Sequence, residues 1–543
     1  MRESNEFETP VYAHYVFFHY GPDPHFKFFY CFRLSNCTPF QKEAELPKNT
    51  EFIFVNCTAT GKNRNEEKNI YKNVHAMTPI LPKVAEKMAS KKSEKAKKLS
   101  VMILGIDSVS RLNVRRTMTK TLEYLQQNEW VELNGYNKVG DNTYPNLMAL
   151  LTGEDYTEVI INYSGNYSVP MDKFPLIWNE YNEKGYITAY AEDIPNWQTF
   201  NLLQTGFVKQ PTDYYMRPFM LAAYDLLPHQ DYANLAVCLG PELILEHILN
   251  YAKSFSQTLK DYNYFGLFWL NSLSHSYMNI PENLDSHLSS FLKDLSDIGT
   301  YENTLMILIS DHGMRFGQAR YTAIGYYEER LPFIFIRLPK WFREKYPEKY
   351  KNLLINKNRL TNPYDVYVTL KRLLDGDYDD EVSMPISKSC PKCVGLFEEI
   401  PWDRGCEDAG IPPYWCMCRN FTDLNVKDPG VVQAGEFLFH YIVNITQEII
   451  KKENIDGKLC ANRTFSKIAK ASGAIGSENN QYVVTIELNP GPATFQAMVE
   501  INQTGNKEPS MRVSESVSRL DKYEKVASCV NSRYLKYYCH CVK

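Results

Sequence analysis

Three segments of this chain carry residues able to hold a cation and attack an ester. An apolar run ends in Gly105-Ile106-Asp107-Ser108, which sets a carboxylate at a strand end. A carboxylate there can hold a divalent metal or cap a following helix. In Asp141-Asn142-Thr143-Tyr144-Pro145-Asn146 a threonine hydroxyl lies two residues before a proline suited to the first turn of a helix. The helix N-terminus expected there offers free N–H groups and a positive dipole end to an anionic ester. Threonine is a weak nucleophile at its own pKa, and coordination to a metal favours the alkoxide; the plainer reading is that Thr143 only caps the helix. The third segment, Ile309-Ser310-Asp311-His312-Gly313, ends a strand on adjacent oxygen and nitrogen donors, a mixture that suits zinc, followed by a glycine that permits a tight turn.

For these groups to meet, several strand ends must converge. Strand-like runs from Leu99 to Ile106, Gly185 to Ala191, Tyr264 to Leu270, Thr304 to Ile309 and Leu331 to Arg337 alternate with helical stretches. That order predicts a mostly parallel sheet covered on both faces. The first four runs stop at Asp107, at Glu192 and Asp193, at Asn271 and His275, and at Asp311 and His312. Ligands of such sheets bind beyond the carboxyl ends of the strands, so one shared site is expected.

This α/β block is read as residues 99–388. Ahead of it, 1–98 combines short apolar-polar bursts, Phe26 to Phe32 and Glu51 to Cys57, with a lysine-rich stretch from Lys83 to Lys98. The bursts predict a small strand-rich, disulfide-pinned unit, and the lysines a solvated helix or linker in preference to an anionic-surface contact. Behind it, 389–430 reads as a cysteine-rich connector and 431–543 as an α+β unit, with a helix from Val431 to Lys452 and strands from Gln481 to Leu488 and Thr494 to Ile501.

With 543 residues, 44% of them hydrophobic, the chain can bury a large core, and a net charge of -4 supplies no basic field for nucleic acid. The 13 cysteines avoid the middle of the chain, Cys238 excepted, as expected for disulfides formed in an oxidising lumen. Cys390, Cys393, Cys406, Cys416 and Cys418 have spacings that also suit structural zinc, but the same compartment argument favours disulfides. Asn-x-Ser/Thr acceptors stand at Asn36, Asn56, Asn162, Asn166, Asn420, Asn444, Asn462 and Asn502. An extracellular or secretory-lumen protein is therefore expected. Met1 to Tyr20 has no apolar signal core, so the expectation includes a signal upstream of this chain; no apolar run of about 18 residues spans a bilayer.

The order Gly-Ile-Asp107-Ser, Asn-Thr143-Tyr-Pro-Asn and Ser-Asp311-His312-Gly resembles the alkaline phosphatase superfamily, which includes phosphodiesterases, phosphoethanolamine transferases and sulfatases. The longer stretches Leu104 to Arg111, Gly135 to Leu147, Gln210 to Pro218 and Glu328 to Phe333 resemble the DUF229 proteins of nematodes and insects, over about Cys31 to Cys418. The resemblance implies an alkaline-phosphatase-like α/β/α sandwich. It also implies Thr143 as nucleophile and metal ligand, with Asp107, Asp311 and His312 completing one site for zinc or manganese. Two-zinc relatives carry Asp-x-x-x-His where this chain has Asn271-Ser-Leu-Ser-His275, and they carry a later histidine that has no counterpart here. A single metal is thus implied, with His275 contacting the substrate anion or donating a proton and Asn271 and Asn146 binding substrate.

The function implied is hydrolysis or transfer of a phosphate ester. An inactive extracellular binding protein that keeps the fold is the alternative. Sulfatase chemistry is disfavoured, because Thr143-Tyr-Pro-Asn-Leu lacks both the convertible cysteine or serine and the arginine of sulfatases.

Overall fold

The computed structural model describes residues 11–22, 30–40, 43–60, 67–91, 98–163, 170–202, 204–232, 235–374, 378, 384–419, 421–474, 480–502 and 510–542. Its centre is a seven-stranded sheet in the order Tyr214–Tyr215, Ile187–Glu192, Tyr264–Leu270, Ser100–Ile106, Thr304–Ile309, Ile334–Arg337, Val131–Glu132. The first five strands are parallel and the last two pairings antiparallel. The four runs expected to share a site are therefore adjacent and point the same way.

Side chains along these strands alternate between two cores, as the two-residue period of a strand requires. Val101 and Ile103 join Phe265, Leu267, Leu305 and Ile307 beneath the helices Thr143–Thr152, Ile177–Glu183 and Pro363–Leu374. Met102, Leu104 and Ile106 join Phe268, Leu270, Met306 and Leu308 beneath Arg217–Leu226, Ile244–Thr258 and Asp285–Asp297 on the other face. Both faces being apolar explains why these strands read as continuous hydrophobic runs. The expected α/β/α layering is thus the observed one.

The run beginning at Leu331 differs from the parallel pattern. It forms the strand Ile334–Arg337, antiparallel to Thr304–Ile309. The chain between them never crosses to the far end of the sheet: Gly313 N donates to the Glu329 carbonyl, and Ser310 N to that of Phe333. It turns at the carboxyl edge and must return in the opposite direction.

Gly105 has a packing reason. A Cβ there would lie 1.8 Å from the ring of Trp269, its partner on the neighbouring strand. Gly105→Ala is expected to destabilise the protein by about 1–3 kcal/mol through overpacking, read as a lower denaturant midpoint; an unchanged midpoint contradicts this packing account.

The N-terminal residues form an antiparallel sheet of Val11–Pro22, Tyr30–Leu34, Thr38–Phe40, Phe52–Thr60 and Glu67–Ala76, with the Phe52 ring packed 5.5 Å from that of Phe219 in the central block. The lysine-rich stretch begins in the helix Pro82–Lys91, where Lys87 pairs with Asp213 at 2.7 Å, so it is not merely solvated; 92–97 lie outside the described residues. In the C-terminal part, Phe421–Asp423, Thr464–Ala474, Asn480–Asn489, Ala493–Asn502 and Ser510–Arg519 make an antiparallel sheet under the helix Pro429–Lys452.

Disulfides join Cys390 to Cys393, Cys406 to Cys416, Cys460 to Cys539 and Cys529 to Cys541. The Cys390–Cys393 and Cys406–Cys416 bonds occupy four of the five cysteines weighed for zinc, leaving Cys418. Cys37, Cys57, Cys238 and Cys418 are unbonded among the described residues, so disulfide pinning of the N-terminal sheet is not seen there; the Cys31 side chain lies outside them. Asn36, Asn162, Asn444 and Asn462 are exposed, whereas the Oδ1 atoms of Asn56 and Asn502 are buried. Asn166 and Asn420 lie outside the described residues. No described helix is long and apolar enough to cross a membrane.

Candidate active site

Beyond the carboxyl ends of Ser100–Ile106 and Thr304–Ile309, Asp107, Asp311 and His312 converge. One potential ligand atom from each lies within 4.8 Å of the others, and all three residues are buried. Ser108 turns the chain sharply by adopting φ 63°, a left-handed conformation costly for a non-glycine residue. The turn lets its hydroxyl donate to Asp107 Oδ1 at 2.8 Å and its N–H to Asp311 Oδ1 at 3.1 Å. Asp311 Oδ1 also accepts from His312 N at 2.9 Å. Gly313 is needed here for close approach: a Cβ would stand 2.0 Å from the carbonyl oxygen of Glu328 on the helix Ala323–Arg330.

The atoms left over define the chemistry. His312 Nδ1 lies 2.8 Å from the Gly313 carbonyl, which can only accept, so the proton belongs on Nδ1 and the Nε2 lone pair faces the carboxylates. Nε2 is 3.2 Å from Asp311 Oδ2 and 3.6 Å from Asp107 Oδ1, and Asp311 Oδ2 is a buried oxygen without a hydrogen-bond partner. Acceptors therefore face acceptors, an arrangement that needs a proton or a cation at its centre. Burial pushes the Asp107 carboxyl up to about 7 and raises that of Asp311, while it pushes the His312 imidazole down to about 4. The residues fit a divalent metal with oxygen and nitrogen ligands.

Thr143 is the first residue of the helix Thr143–Thr152, with Asn142 before it as N-cap; the helix ends at Gly153 in the left-handed conformation at φ 68°. Capping is thus Asn142's position, and the Thr143 hydroxyl lies close enough to Asp311 to hold that carboxyl's acidity up against burial. Thr143, Asp107, Asn142, Tyr144, Asn271, His275 and Arg315 line one cavity, with Trp197, Leu202 and Leu235 as apolar lining.

Asn146 does not line that cavity. Its Oδ1 accepts from Val139 N and Gly140 N, and its Nδ2 donates to the carbonyls of Gly140 and Asn142. The amide clamps the loop ahead of Thr143, which corrects the expectation of substrate contact. Asn271 does line the cavity, but its Nδ2 is held by Glu192 at 3.0 Å and Asp193 at 2.9 Å, and Asp193 also accepts from the backbone N–H groups of Asn271 and Ser272. His275 stands 4.0 Å from Asp107 and edge-on to Trp197. Burial, assisted by Arg315, pushes its imidazole down to about 4, so it meets a ligand near neutral pH as the uncharged ring.

Sequence reasoning missed Arg315, although it stands four residues after Asp311 in the same loop. Its guanidinium is anchored to Asp141 at 2.9 Å. Two of the long stretches singled out in the sequence also meet behind this loop: Lys138 is buried against Glu329 and donates to the Asp141 carbonyl at 3.0 Å.

No curated protein matches the chain. Among solved structures, it is similar to a protein in the alkaline phosphatase superfamily from Vibrio parahaemolyticus at 15% identity, covering 78% of this chain and 83% of that one with a TM-score of 0.37. It is also similar to the phosphonate monoester hydrolase SpPMH from Silicibacter pomeroyi, at 13% identity over 73% and 89% of the two chains with a TM-score of 0.40. A third is the lipoteichoic acid synthase LtaP from Listeria monocytogenes, at 14% identity over 63% and 80% with a TM-score of 0.36. Residues 21–469 match the family model described as protein of unknown function (DUF229), and the chain belongs to that family.

Proposed function

We propose that this protein is a metal-dependent enzyme that cleaves or transfers a phosphate ester through Thr143. The observation that carries the reading is a hydroxyl on the first residue of a helix, set in a cavity against three buried side chains whose potential ligand atoms face one another. Asp107, Thr143, Asp311 and His312 would hold the ion, zinc or manganese by donor type. Such an ion supplies Lewis acidity and lowers the pKa of a bound hydroxyl.

The protein's own part is positional. Thr143 Oγ forms a bond to phosphorus while the bond to the leaving alkoxide breaks, giving a phosphothreonine that water, or an acceptor alcohol in a transferase, then resolves. The helix N-terminus and the neutral His275 ring donate hydrogen bonds to the non-bridging oxygens. The apolar wall of Trp197, Leu202 and Leu235 receives the organic part of the ester. Asn146 and Ser108 hold the reacting groups in place. We place the protein in an extracellular or secretory-lumen setting, supported by four disulfides and by exposed glycan acceptors at Asn36, Asn162, Asn444 and Asn462. The units 1–98, 99–388, 389–430 and 431–543 stand as the proposed division of the chain.

The test is to trap the intermediate. Protein made through a eukaryotic secretory route is mixed with an aryl phosphate monoester, quenched in acid within a turnover, digested and examined by mass spectrometry. The peptide containing Thr143 should gain one phosphoryl group. Turnover without label on Thr143 sinks the mechanism, and no turnover on mono- or diesters despite a bound metal favours a binding protein.

A further inference from the structure

The C-terminal sheet and its disulfide-bonded tail touch the loops that build the cavity at several separate places. Ser518, at the end of the strand Ser510–Arg519, donates its hydroxyl to Asp141 Oδ1 at 2.9 Å, while Asp141 Oδ2 takes Arg315 at 2.9 Å. Beside them, Tyr414 reaches Ser518 at 3.2 Å and Gln496 at 3.1 Å. Past Arg315, Gly317 N donates to the Leu520 carbonyl, and the Phe316 ring meets Tyr523 edge-on at 6.4 Å. Lys522 donates to the carbonyl of Ser276, next to His275, at 3.0 Å, and Arg533 to that of Asn201, next to Leu202, at 3.0 Å. The Cys460–Cys539 and Cys529–Cys541 bonds tie this tail back to its own unit.

Arg315 is consequently a cation delivered to the cavity by a chain of contacts that starts outside the α/β block. Only 12% of its side chain is exposed, and its position is fixed from behind by one carboxylate whose other oxygen is held by Ser518. A guanidinium keeps its charge throughout the accessible pH range and offers forked donors matched to a tetrahedral oxyanion. Burial opposes that charge, and Asp141, Tyr537, Tyr523 and Glu329 together more than offset it, so the group stays protonated.

We propose that Arg315 binds the non-bridging oxygens of the substrate's anionic group, and that Ser518 and Asp141 are positioning residues through which the C-terminal unit completes the site. This deepens the ester-cleaving reading and rests on it for the identity of the anion, but its binding step stands apart from attack by Thr143.

Inorganic phosphate is the probe, titrated calorimetrically into the metal-loaded full chain. Arg315→Gln is expected to raise the phosphate Kd by about tenfold or more, the scale of one lost charge-assisted fork, and Arg315→Lys by less. Ser518→Ala is expected to raise Kd about threefold with an unchanged melting midpoint, and Ser518→Thr to restore it. In the Arg315→Gln background Ser518→Ala should have no further effect, a coupling that general loss of structure does not produce. Wild-type Kd in Arg315→Gln, or no phosphate binding by the native protein at millimolar concentration, overturns the proposal. An additive Ser518 effect, or none at all, overturns the part assigned to the C-terminal unit. Thr143→Ala separates the two readings: if it still turns over while Arg315→Gln loses phosphate, the nucleophile is wrong and the anion site stands.

Discussion

Thr143→Ala abolishes turnover, by a factor on the order of 10³ or more, and leaves the fold intact; that is the largest effect expected of any single change in this protein. The size follows from removal of the attacking atom itself, since the other aliphatic hydroxyl residue lining the cavity, Thr199, donates its hydroxyl to Glu192. The fold tolerates it because Asn142, not Thr143, is the N-cap, and because Thr143 is only half-buried, so stability should move by no more than about 1 kcal/mol. Metal content should fall little, with Asp107, Asp311 and His312 still present. Steady-state rates on an aryl phosphate, a melting curve and metal analysis on the same preparation check all three. A rate within tenfold of wild type defeats the assignment.

The second large effect concerns charge buried without a partner. In metal-free protein the Asp107 carboxyl titrates near 7 against an ordinary 3.8, so it favours the folded state only while protonated. Its contribution is fully present below about 3.8 and is lost as pH rises through about 7, for a total of about 4 kcal/mol at most. His275 and His312, both pushed down to about 4 chiefly by burial, act in the opposite sense, adding stability as pH rises from about 4 to 6.5. The clean readout is therefore the difference between wild type and Asp107→Asn after chelation.

The two should be equally stable at pH 4, and Asp107→Asn should be the more stable by several kcal/mol at pH 8. Added zinc or manganese narrows that gap, stabilising the wild type by about 2.7 kcal/mol at a hundredfold excess over Kd and Asp107→Asn by less. A gap that does not widen with pH, or a variant stabilised by metal as strongly as wild type, contradicts the cation site.

Much of the architecture could be read from pattern because both faces of the central sheet are buried. Tyr264–Leu270 and Thr304–Ile309 coincide with the apolar runs end to end, and Thr143 does begin a helix. The C-terminal strands Thr464–Ala474 and Ser510–Arg519 were not legible: their residues, such as Ser466 and Lys467 or Arg512 and Ser516, are polar enough to read as loop, and only pairing to the apolar strands between them makes them strands. Asn146 misled for a related reason. An amide close in sequence to the reacting hydroxyl looks like a ligand, and only three-dimensional placement shows its bonds directed to the backbone behind it.

By itself the sequence determined that Asp107, Thr143, Asp311 and His312 stand at strand and helix ends, because periodicity and chain direction decide where an element stops. It also determined their chemistry, since ligand type is a property of the side chain. The tertiary structure alone decided what surrounds them: that Asp311 Oδ2 and the His312 Nε2 lone pair face each other, that Asn271 is held by Glu192 and Asp193, and that Ser518, more than two hundred residues after His312, sets Arg315 through Asp141. The contacts of Asn271 and Ser518 join positions far apart along the chain, and their distances depend on packing that no local pattern encodes.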